Sequence, residues 1–512
     1  MNFFKKKTPI QQNFSMSPMT FNFDVSPTKK ARKRAYHSAK TIPYLSSWIS
    51  SPINPNTDIK QGLNSLRARS REAVQNNSFI RKFLSEVKIN VVGEVGPILQ
   101  SRVFGPGTKA DTKARDAIEQ AWKEWGEFGS PDVTGTKTWL SMLNEFWQQI
   151  LMDGEYIAIE VYNNENDFGF QLQVIDPMLL DITYSDKLTG GRYIKESIEY
   201  NAVGKPLAYH FLSGEDSEDN YIYHGKAYKK VIASRVYHVF LPDFVNQRRG
   251  VPAVACALLR LGMLDGYTEA ELVAARIGAS KFGVWTDGEN GEEYTGDGTD
   301  DAGEYVTSGA PGEFIKAPHG AKLDLFDPKH PNSGYSQFTS DLLREVSSGL
   351  NASYAEISNN YSDANYSSLR QALLSQQGLW KVWQQWMIDF FTSRVYKSFV
   401  TLSHAQRLIK VNNAPLRHDI KGYLIHTWQP KRWPWVDPLK EMNANKVAID
   451  NYISSPQSII REKGGDPEDV LNEFSLWKEQ LEARGLPVPI PATQNIVEVE
   501  PDDDETKPKK PK

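Results

Sequence analysis

Cysteine is almost absent from this 512-residue chain, which contains only Cys256. A single thiol excludes an intrachain disulfide framework and any zinc site built on several cysteines. Because Cys256 lies in the apolar run VPAVACALL, we expect it to be a small buried residue.

Long hydrophobic runs are absent as well. The N-terminus, MNFFKKKTPI, never reaches the apolar stretch of a signal peptide. The most apolar run, residues 251–264, is too short to span a bilayer and is interrupted by Arg260. We therefore expect a protein that is made and used in soluble form, with no membrane partner.

The chain also lacks the short motifs of common catalytic and nucleotide-binding sites. It has no G-x-x-x-x-G-K-[ST], G-x-S-x-G, H-E-x-x-H or G-x-G-x-x-G sequence. Its nine histidines show no close pair with metal-ligand spacing, and its acidic string PDDDETK lies in a tail predicted to be disordered. The sequence therefore predicts a protein that is not an enzyme and that uses no cofactor and no metal.

Charge is distributed unevenly along the chain. The formal net charge is −4, so the chain as a whole is not a basic nucleic-acid binder. Residues 1–45, in contrast, form a basic, poorly patterned arm with nine Lys or Arg against one acid. Either this arm is a solvated flexible tail, or it binds nucleic acid or an acidic protein. The candidate contact residues in the arm are Lys29, Lys30, Arg32, Lys33 and Arg34.

Helical periodicity begins at Thr57 and continues to Val91-Val92-Gly93, where a single long helix is expected to end. Within it, Arg67, Arg69 and Arg71 alternate with small residues. Such a run is more often a solvated helix face than a functional site, and we interpret it in that way.

Short strands follow these first helices. Residues 156–250 alternate strand-like segments with turns, in YIAIEVY, GFQLQVI, SIEY, AYHFL and RVYHVFL, and Asp153-Gly154 is a turn signal before them. The combination predicts a helix-rich α+β fold.

A long apolar helix is predicted from Val251 to Lys281, with Pro252 in its first turn. It is too apolar and too rich in alanine for an isolated solvated helix, so we expect copies of the same chain to cover it. The acidic, Gly-rich stretch 287–312 that follows has no Lys or Arg and is interpreted as a flexible excursion. A calcium loop does not fit, because the ligand positions of an EF-hand are out of register.

A second unusual segment, Ser353–Ser368, reads SYAEISNNYSDANYSS and has no glycine, proline, lysine or arginine. We interpret it as a polar loop between two helices. The helix after it carries Trp380, Trp383 and Trp386 on one face, a pattern more typical of core or interface packing than of base stacking. Residues 436–484 predict a terminal helical unit, and residues 485–512 a disordered tail.

Several segments, in order along residues 30–440, resemble the portal proteins of tailed bacteriophages, in particular the lambda-type group. The segments are LRARSREAVQNN with NVVG, DGEYIAIE, QVIDPMLL, VYHVFLPDFVNQRRGVP, LDGYTEAELVAARIGASKFGVW, LREVSSGLNASYAEIS and NYSSLRQALL. The order of these segments, with QRRGVP before the long helix and NYSS-x-R after the loop, makes the resemblance specific.

The resemblance implies a portal fold that assembles as a ring, typically of twelve copies. It implies the following parts: a basic arm (1–45), a wing (46–250), a stem helix (251–285), a clip (286–336), a second stem helix (337–352), a tunnel loop (353–368), a long wing helix with following strands (369–435), a crown (436–484) and a tail (485–512).

The resemblance also implies partners and sites. The ring would lie at one capsid vertex in the virion, after assembly in the host cytoplasm, and double-stranded DNA would pass through its channel during packaging and ejection. Its partners would be the terminase large subunit, major capsid and scaffold proteins, and head-completion or tail adaptor proteins. It would also nucleate procapsid assembly. The tunnel-loop candidates for DNA contact are Asn359, Asn360, Tyr361, Asn365, Tyr366 and Arg370. The clip candidates for docking are Asp287, Glu289, Glu292, Glu293, Asp297, Asp300, Asp301 and Glu304.

One alternative function remains open from the residues alone. The chain could be a non-portal virion scaffold or nucleic-acid-binding protein that acts through its basic N-terminal arm. Deletion of the arm distinguishes this alternative from the portal function, because only the alternative predicts that the shortened chain loses all DNA association.

Overall fold

The computed structural model describes Pro52 and residues 54–104, 111–163, 165–213, 227–279, 283–286, 298–299, 305–306, 322–325, 334–362, 365–412, 414–416, 420–433, 438–463 and 465–486. The chain divides into two compact units, Met1–Trp428 and Gln429–Lys512.

The α-helices of the described residues account for all the regular structure described after Gln429 and a large part of the first unit. They are α1 (Pro55–Asn76), α2 (Ser78–Val87), α3 (Thr112–Trp125), α4 (Trp139–Asp153), α5 (Ala255–Ala279), α6 (Tyr335–Gly349), α7 (Tyr354–Ser358), α8 (Tyr366–Met387), α9 (Ser393–Ala405), α10 (Pro438–Asp450), α11 (Pro456–Glu462) and α12 (Pro467–Ala483). Short π-helical turns, Lys88–Val92 and Ile388–Thr392, follow α2 and α8.

The strands of the described residues are short. They are β1 (Ile98–Ser101), β2 (Tyr156–Tyr162), β3 (Phe170–Ile175), β4 (Asp186–Lys187), β5 (Tyr193–Lys195), β6 (Ile198–Tyr200), β7 (Pro206–Ser213), β8 (Ala227–Ile232), β9 (Val236–Val239), β10 (Gly283–Thr286), β11 (Gly298–Thr299), β12 (Tyr305–Val306), β13 (Lys322–Leu325), β14 (Lys410–Val411), β15 (Ala414–Pro415) and β16 (His426–Gln429). The helix-rich α+β fold class is therefore confirmed.

The long helix expected from Thr57 is in fact two helices. Asn77 has an extended backbone, and its side chain accepts hydrogen bonds from the amides of Phe79 and Ile80, which begins α2. Asparagine is a favoured residue at this capping position, so the break has a local cause. The predicted end is confirmed, since Gly93 has φ 83° after the π-helical turn.

The two largest sheets of the described residues are antiparallel and lie in the first unit. In one, β2 pairs with β3 on one side and β9 on the other, with Ile157 opposite Ile175 and His238. In the other, β4 to β8 pair in sequence order. Apolar residues of both sheets pack into one core that includes Ile157, Tyr209 and Val236.

Aromatic side chains fill the core between α3, α4, β2 and the α8–α9 segment. Trp125 and Trp147 are fully buried. The Trp383 ring stacks on that of Trp147 with centroids 5.3 Å apart, and Trp386 packs on Phe146 at 5.7 Å. The interpretation of the tryptophan face as packing is confirmed.

The long apolar helix, α5, begins three residues after Pro252 and not around it. Its 25 residues correspond to about 37 Å. It packs antiparallel to α6, where the rings of Tyr267 and Tyr335 are 5.6 Å apart and Arg260 pairs with Glu345 at 2.8 Å. After the acidic stretch, β13 pairs with β10 in an antiparallel arrangement.

The second unit contains α10, α11 and α12. Asp466 begins α12 by accepting a hydrogen bond from the amide of Glu468, and Ser455 caps α11 in a similar way. Large apolar side chains remain exposed in this unit, among them Leu471, Phe474 and Trp477.

Candidate functional site

The polar segment 353–368 contains more regular structure than the sequence predicted. Its first part forms α7, and its last part is the first turn of α8, which Asn365 and Ser368 begin as a capping box. Only residues 359–365 lie between the two helices. The Asn-x-x-Ser spacing is a helix-start signal that the polar composition concealed.

Two asparagines in left-handed conformations lie on either side of α7. Asn351 and Asn359 both have φ 52°. Asparagine tolerates this region better than most residues other than glycine, so the chain changes direction sharply without glycine. α7 is therefore a separate short helix held between two turns.

Tyr354 attaches α7 to α6. Its hydroxyl donates to Ser340 Oγ at 3.3 Å, and the guanidinium of Arg344 lies 5.0 Å from the centre of its ring. On the other side, Asn360 Nδ2 donates to the Tyr354 hydroxyl at 3.4 Å. The base of the segment is thus fixed by side-chain contacts, while Ile357 is buried beneath it.

The six predicted DNA-contact residues differ in their surroundings. Asn359, Asn360 and Asn365 serve the local turns and caps, as described above. Tyr361 and Tyr366 are exposed, at 49% and 64%. Arg370 is half-buried in α8. The two tyrosines are therefore the large side chains that this turn offers to a partner.

An acidic and basic cluster lies under α7. Lys82 Nζ contacts Glu86 Oε1 at 2.6 Å on α2. Burial, and then the nearby carboxylate of Glu86, raise the pKa of Glu356 above its ordinary value. The lower side of the turn is thus charged.

A buried ion-pair network lies where the chain enters α5, and we call it the root network: Arg67, Glu155 and Arg249. Arg249 Nε contacts Glu155 Oε1 at 2.8 Å, and Arg67 contacts Glu155 Oε2 at 2.9 Å. All three side chains are at most 1% exposed. Burial alone would raise the pKa of Glu155, but the guanidiniums of Arg249 and Arg67 outweigh it and hold this pKa well below its usual value.

Backbone contacts complete the root network. Arg249 also donates to the carbonyl of Leu180 at 2.8 Å, and the amide of Gly250 donates to Glu155 Oε1 at 2.6 Å. Arg67 Nε donates to the carbonyl of Asp153 at 2.8 Å. The network therefore connects α1, the start of β2 and the segment that leads into α5.

Arg71 extends this arrangement toward the surface. It pairs with Asp153 at 2.7 Å and with Asp176 at 2.8 Å. The interpretation of the arginine run as a solvated helix face is therefore wrong for Arg67 and Arg71, and holds only for Arg69, which is exposed. The fold places acidic residues from distant segments against these two positions.

Two glycines allow the backbones to meet at the root network. Gly154 has φ 84°, and a Cβ there would lie 2.4 Å from the carbonyl carbon of Val251. A Cβ on Gly250 would lie 2.0 Å from the carbonyl oxygen of Gly154. The predicted turn at Asp153-Gly154 is confirmed, and its glycine is required by close approach as well as by conformation.

Four of the segments that carried the family resemblance meet at this network. LRARSREAV contributes Arg67 and DGEYIAIE contributes Glu155. QVIDPMLL contributes the carbonyl of Leu180, and QRRGVP contributes Arg249. One sequence signal points to it: Arg67 follows Ile59 and Leu63 at intervals of four, so it continues the buried face of α1.

The predicted docking and arm residues are outside the described part of the chain. This applies to the eight acidic clip candidates within 287–304 and to the five basic candidates within 29–34. Among the described residues, no group of His, Cys, Asp or Glu is arranged to hold a metal, and no helix is long and apolar enough to cross a membrane.

Cys256 is exposed, so its prediction as a buried residue is wrong. It lies in the first turn of α5, where its thiol donates to the carbonyl of Gly349 at 3.2 Å. Partial burial of the sulfur atom raises the pKa of the Cys256 thiol. The apolar run around it is not covered on all sides by the described residues of this chain.

Residues 42–384 match the family model described as phage portal protein, lambda family. The probable portal protein of Halomonas phage phiHAP-1 is 28% identical over 94% of this chain and 95% of its own length. Portal protein B of Escherichia phage lambda is 21% identical over 82% of this chain and 85% of its own length.

A solved structure of the neck of the native gene transfer agent (GTA) particle, with C12 symmetry, contains a chain that aligns with 83% of this chain and 98% of its own length. The sequence identity is 12% and the TM-score 0.39.

Proposed function

The chain belongs to the lambda family of phage portal proteins, and we propose that it assembles with copies of itself into a ring at one capsid vertex, through which double-stranded DNA passes during packaging and ejection. The observation that carries this proposal is the apolar face of α5 that the described residues leave uncovered, opposite the face that packs on its own chain.

The two faces of α5 can be separated by position. Ala257, Leu261 and Leu264 are buried. Leu259, Met263 and Val273 are 68%, 53% and 48% exposed. Because successive residues of a helix are about 100° apart around its axis, these three side chains lie within one arc of about 80°, on the side of α5 opposite Ala257, Leu261 and Leu264. Burying side chains of this size is favourable by about 1.5–3 kcal/mol each, which supports α5 as a contact between neighbouring copies.

The root network supports a mechanical role for α5. A helix that transmits force between the parts of a ring must enter the rest of the subunit at a fixed angle. Glu155 and Arg249, with the close contact of Gly154 and Val251, fix the chain just before α5. We infer that the network holds this helix in place while DNA moves.

The turn between α7 and α8 is the proposed contact with DNA. Exposed Tyr361 and Tyr366 offer contacts without a cation, and segment 353–368 carries no Lys or Arg. A lysine- or arginine-lined constriction would bind each passing phosphate and resist sliding. A turn without lysine or arginine lets the duplex slide, with Arg370 as one modest attraction per subunit.

The remaining partners follow from the same proposal. The acidic stretch of the clip is the docking surface for the terminase large subunit and later for head-completion or tail adaptor proteins. The basic arm contacts capsid or scaffold proteins, and the ring nucleates the procapsid. The family match over residues 42–384 argues against the non-portal scaffold.

Ring formation is tested by electron microscopy and sedimentation velocity of the purified chain. We expect rings with a central hole for the unmodified chain and monomers for Leu259→Asp, because a charge on the uncovered face of α5 opposes its burial. Val95→Asp, at a residue that is 73% exposed outside α5, is the matched control and should still form rings. A monomeric unmodified chain at high concentration would contradict the proposal.

The DNA contact is tested by replacing residues 360–364 with two glycines, which keeps the Asn365 cap of α8. Rings should form normally, whereas packaged DNA should be lost from phage particles. Tyr452→Ala, at a residue that is 97% exposed in the second unit, is the control for loss of a surface tyrosine. Normal packaging and retention by the shortened turn would refute the role of the loop.

A further inference from the structure

A cavity of about 690 Å³ lies beside the five-stranded sheet. Its apolar wall is mostly aromatic and contains Tyr193, Tyr200, Tyr209 and Phe240. The chain segment just before α5 forms its other side, including Asn246 and Arg248. Aromatic rings with polar groups at the edge suit a large apolar side chain that carries a hydrogen-bond donor.

Exposed apolar residues lie at and beside this cavity. Val203, which lines it, is 68% exposed, and the neighbouring Leu207 is 37% exposed. On the opposite side, Phe244 and Val245 are 51% and 90% exposed and immediately precede the lining residue Asn246. A concentration of exposed apolar groups around one cavity is typical of a surface that something covers.

The start of α1 is attached to the wall of the same cavity. Asn56 Nδ2 donates to the carbonyl of Asn246 at 3.0 Å, and the amide of Arg248 donates to Asn56 Oδ1 at 3.0 Å. Asn54, the capping residue of α1, lies two residues earlier. The chain that precedes α1 therefore leaves the described region at the edge of the cavity.

The segment just upstream has the matching chemistry. There is no charged residue between Lys40 and Asp58, and the sequence TIPYLSSWISSP contains Tyr44, Leu45, Trp48 and Ile49. Trp48 is six residues before Asn54, so an extended chain reaches about 20 Å from that point. This reach is sufficient for Trp48 to enter the cavity of its own subunit, because Asn54 lies two residues before Asn56, which is hydrogen-bonded to the cavity wall.

We propose that residues 44–49 of the same chain occupy this cavity, with Trp48 against its aromatic wall. The indole nitrogen then finds acceptors among the tyrosine hydroxyls and the amide side chains of Asn246 and Gln247. This docking fixes the C-terminal end of the basic arm to the wing. It takes place within one subunit and does not depend on ring formation.

The test is site-specific photo-cross-linking in the full-length chain. Trp48 is replaced by benzoylphenylalanine, and cross-linked peptides are identified by mass spectrometry. We expect cross-links to peptides that contain Tyr200–Tyr209 or residues 240–248. The same photo-reactive residue at Phe14, farther along the arm, is the control and should give at least about tenfold fewer of them, as expected if docking is favoured by 1.4 kcal/mol or more. Equal yields from the two positions would overturn the proposal.

Two further measurements make the result specific. In a mixture of light and ¹⁵N-labelled chains, cross-linked peptides should carry the same label on both halves, and mixed pairs would overturn docking within one chain. Val203→Glu, at an exposed position, should reduce the cross-links at least about tenfold because a charge would be buried against Trp48. Val95→Glu, at a comparably exposed valine, is the control and should leave the yield of cross-links unchanged. An unchanged yield in the Val203→Glu chain would also overturn the proposal.

Discussion

Replacing Glu155 by glutamine should destabilise the first unit strongly. The substitution keeps the shape of the side chain and removes the charge that faces Arg67 and Arg249. Both guanidiniums are at most 1% exposed, so they cannot recover hydration without opening the core. Removal of one partner from a buried ion pair costs about 3–5 kcal/mol, and we expect a loss of this size in the free energy of unfolding.

The matched control for this change is Glu345→Gln. Glu345 also pairs with an arginine at 2.8 Å, but the side chains of Arg260 and Glu345 are 43% and 54% exposed. Solvent screens such a pair, so the expected loss is below about 1 kcal/mol. Urea unfolding followed by tryptophan fluorescence measures both variants. A Glu155→Gln chain that loses no more stability than Glu345→Gln would refute the reasoning.

The carboxylate of Glu155 should also make the free energy of unfolding depend on pH in a defined direction. The pKa of Glu155 is held well below its usual value in the folded chain, whereas an unfolded glutamate titrates near about 4.3. The stabilisation is therefore complete above that value and is lost as the pH falls through the folded pKa. The stability difference between the unmodified chain and Glu155→Gln, measured by urea unfolding from pH 7 to pH 3, should shrink only in this acid range. A difference that shrinks instead above pH 5 would contradict the assignment.

Three other predictions follow from local geometry. Gly154→Ala should cost about 2–5 kcal/mol in urea unfolding, through strain and a backbone clash, whereas Gly190→Ala, which has φ 72° and open space around it, should cost only about 1–2 kcal/mol. Asn365→Ala should destabilise the start of α8 by about 1 kcal/mol, seen as faster hydrogen exchange of the Ser368 amide; unchanged exchange would contradict the cap. Cys256 should react with iodoacetamide in the monomer, with a rate that still rises above pH 9 because the pKa of its thiol is raised; no reaction would contradict its exposure.

The elements that the sequence predicted well depend on local chemistry. Glycine at position 154, the strand-like segment 156–162 and the spacing of Trp380, Trp383 and Trp386 each determine structure within a few residues. The order of the motifs was sufficient for the family. The starts of α2 and α8 were missed although their asparagine caps are local signals, because asparagine also suggests loops.

The burial of charges could not be predicted in this way. Arg67 and Arg69 are two residues apart in the same run, yet one is fully buried and the other exposed. The difference arises from Glu155, whose partner Arg249 is 94 residues farther along the chain. Cys256 was misjudged for a related reason, since an apolar run does not reveal which of its faces its own chain covers.

The amino-acid sequence by itself therefore determined the α+β class, the helix and strand segments and the family, because these depend on periodicity, caps and ordered motifs. Only the tertiary structure decided that four of the motifs meet in one buried network at the entrance to α5, and which apolar face of α5 the described residues leave exposed. Both depend on which distant residues the fold brings within a few ångströms, and the electrostatic and hydrophobic free energies that matter here arise only at such distances.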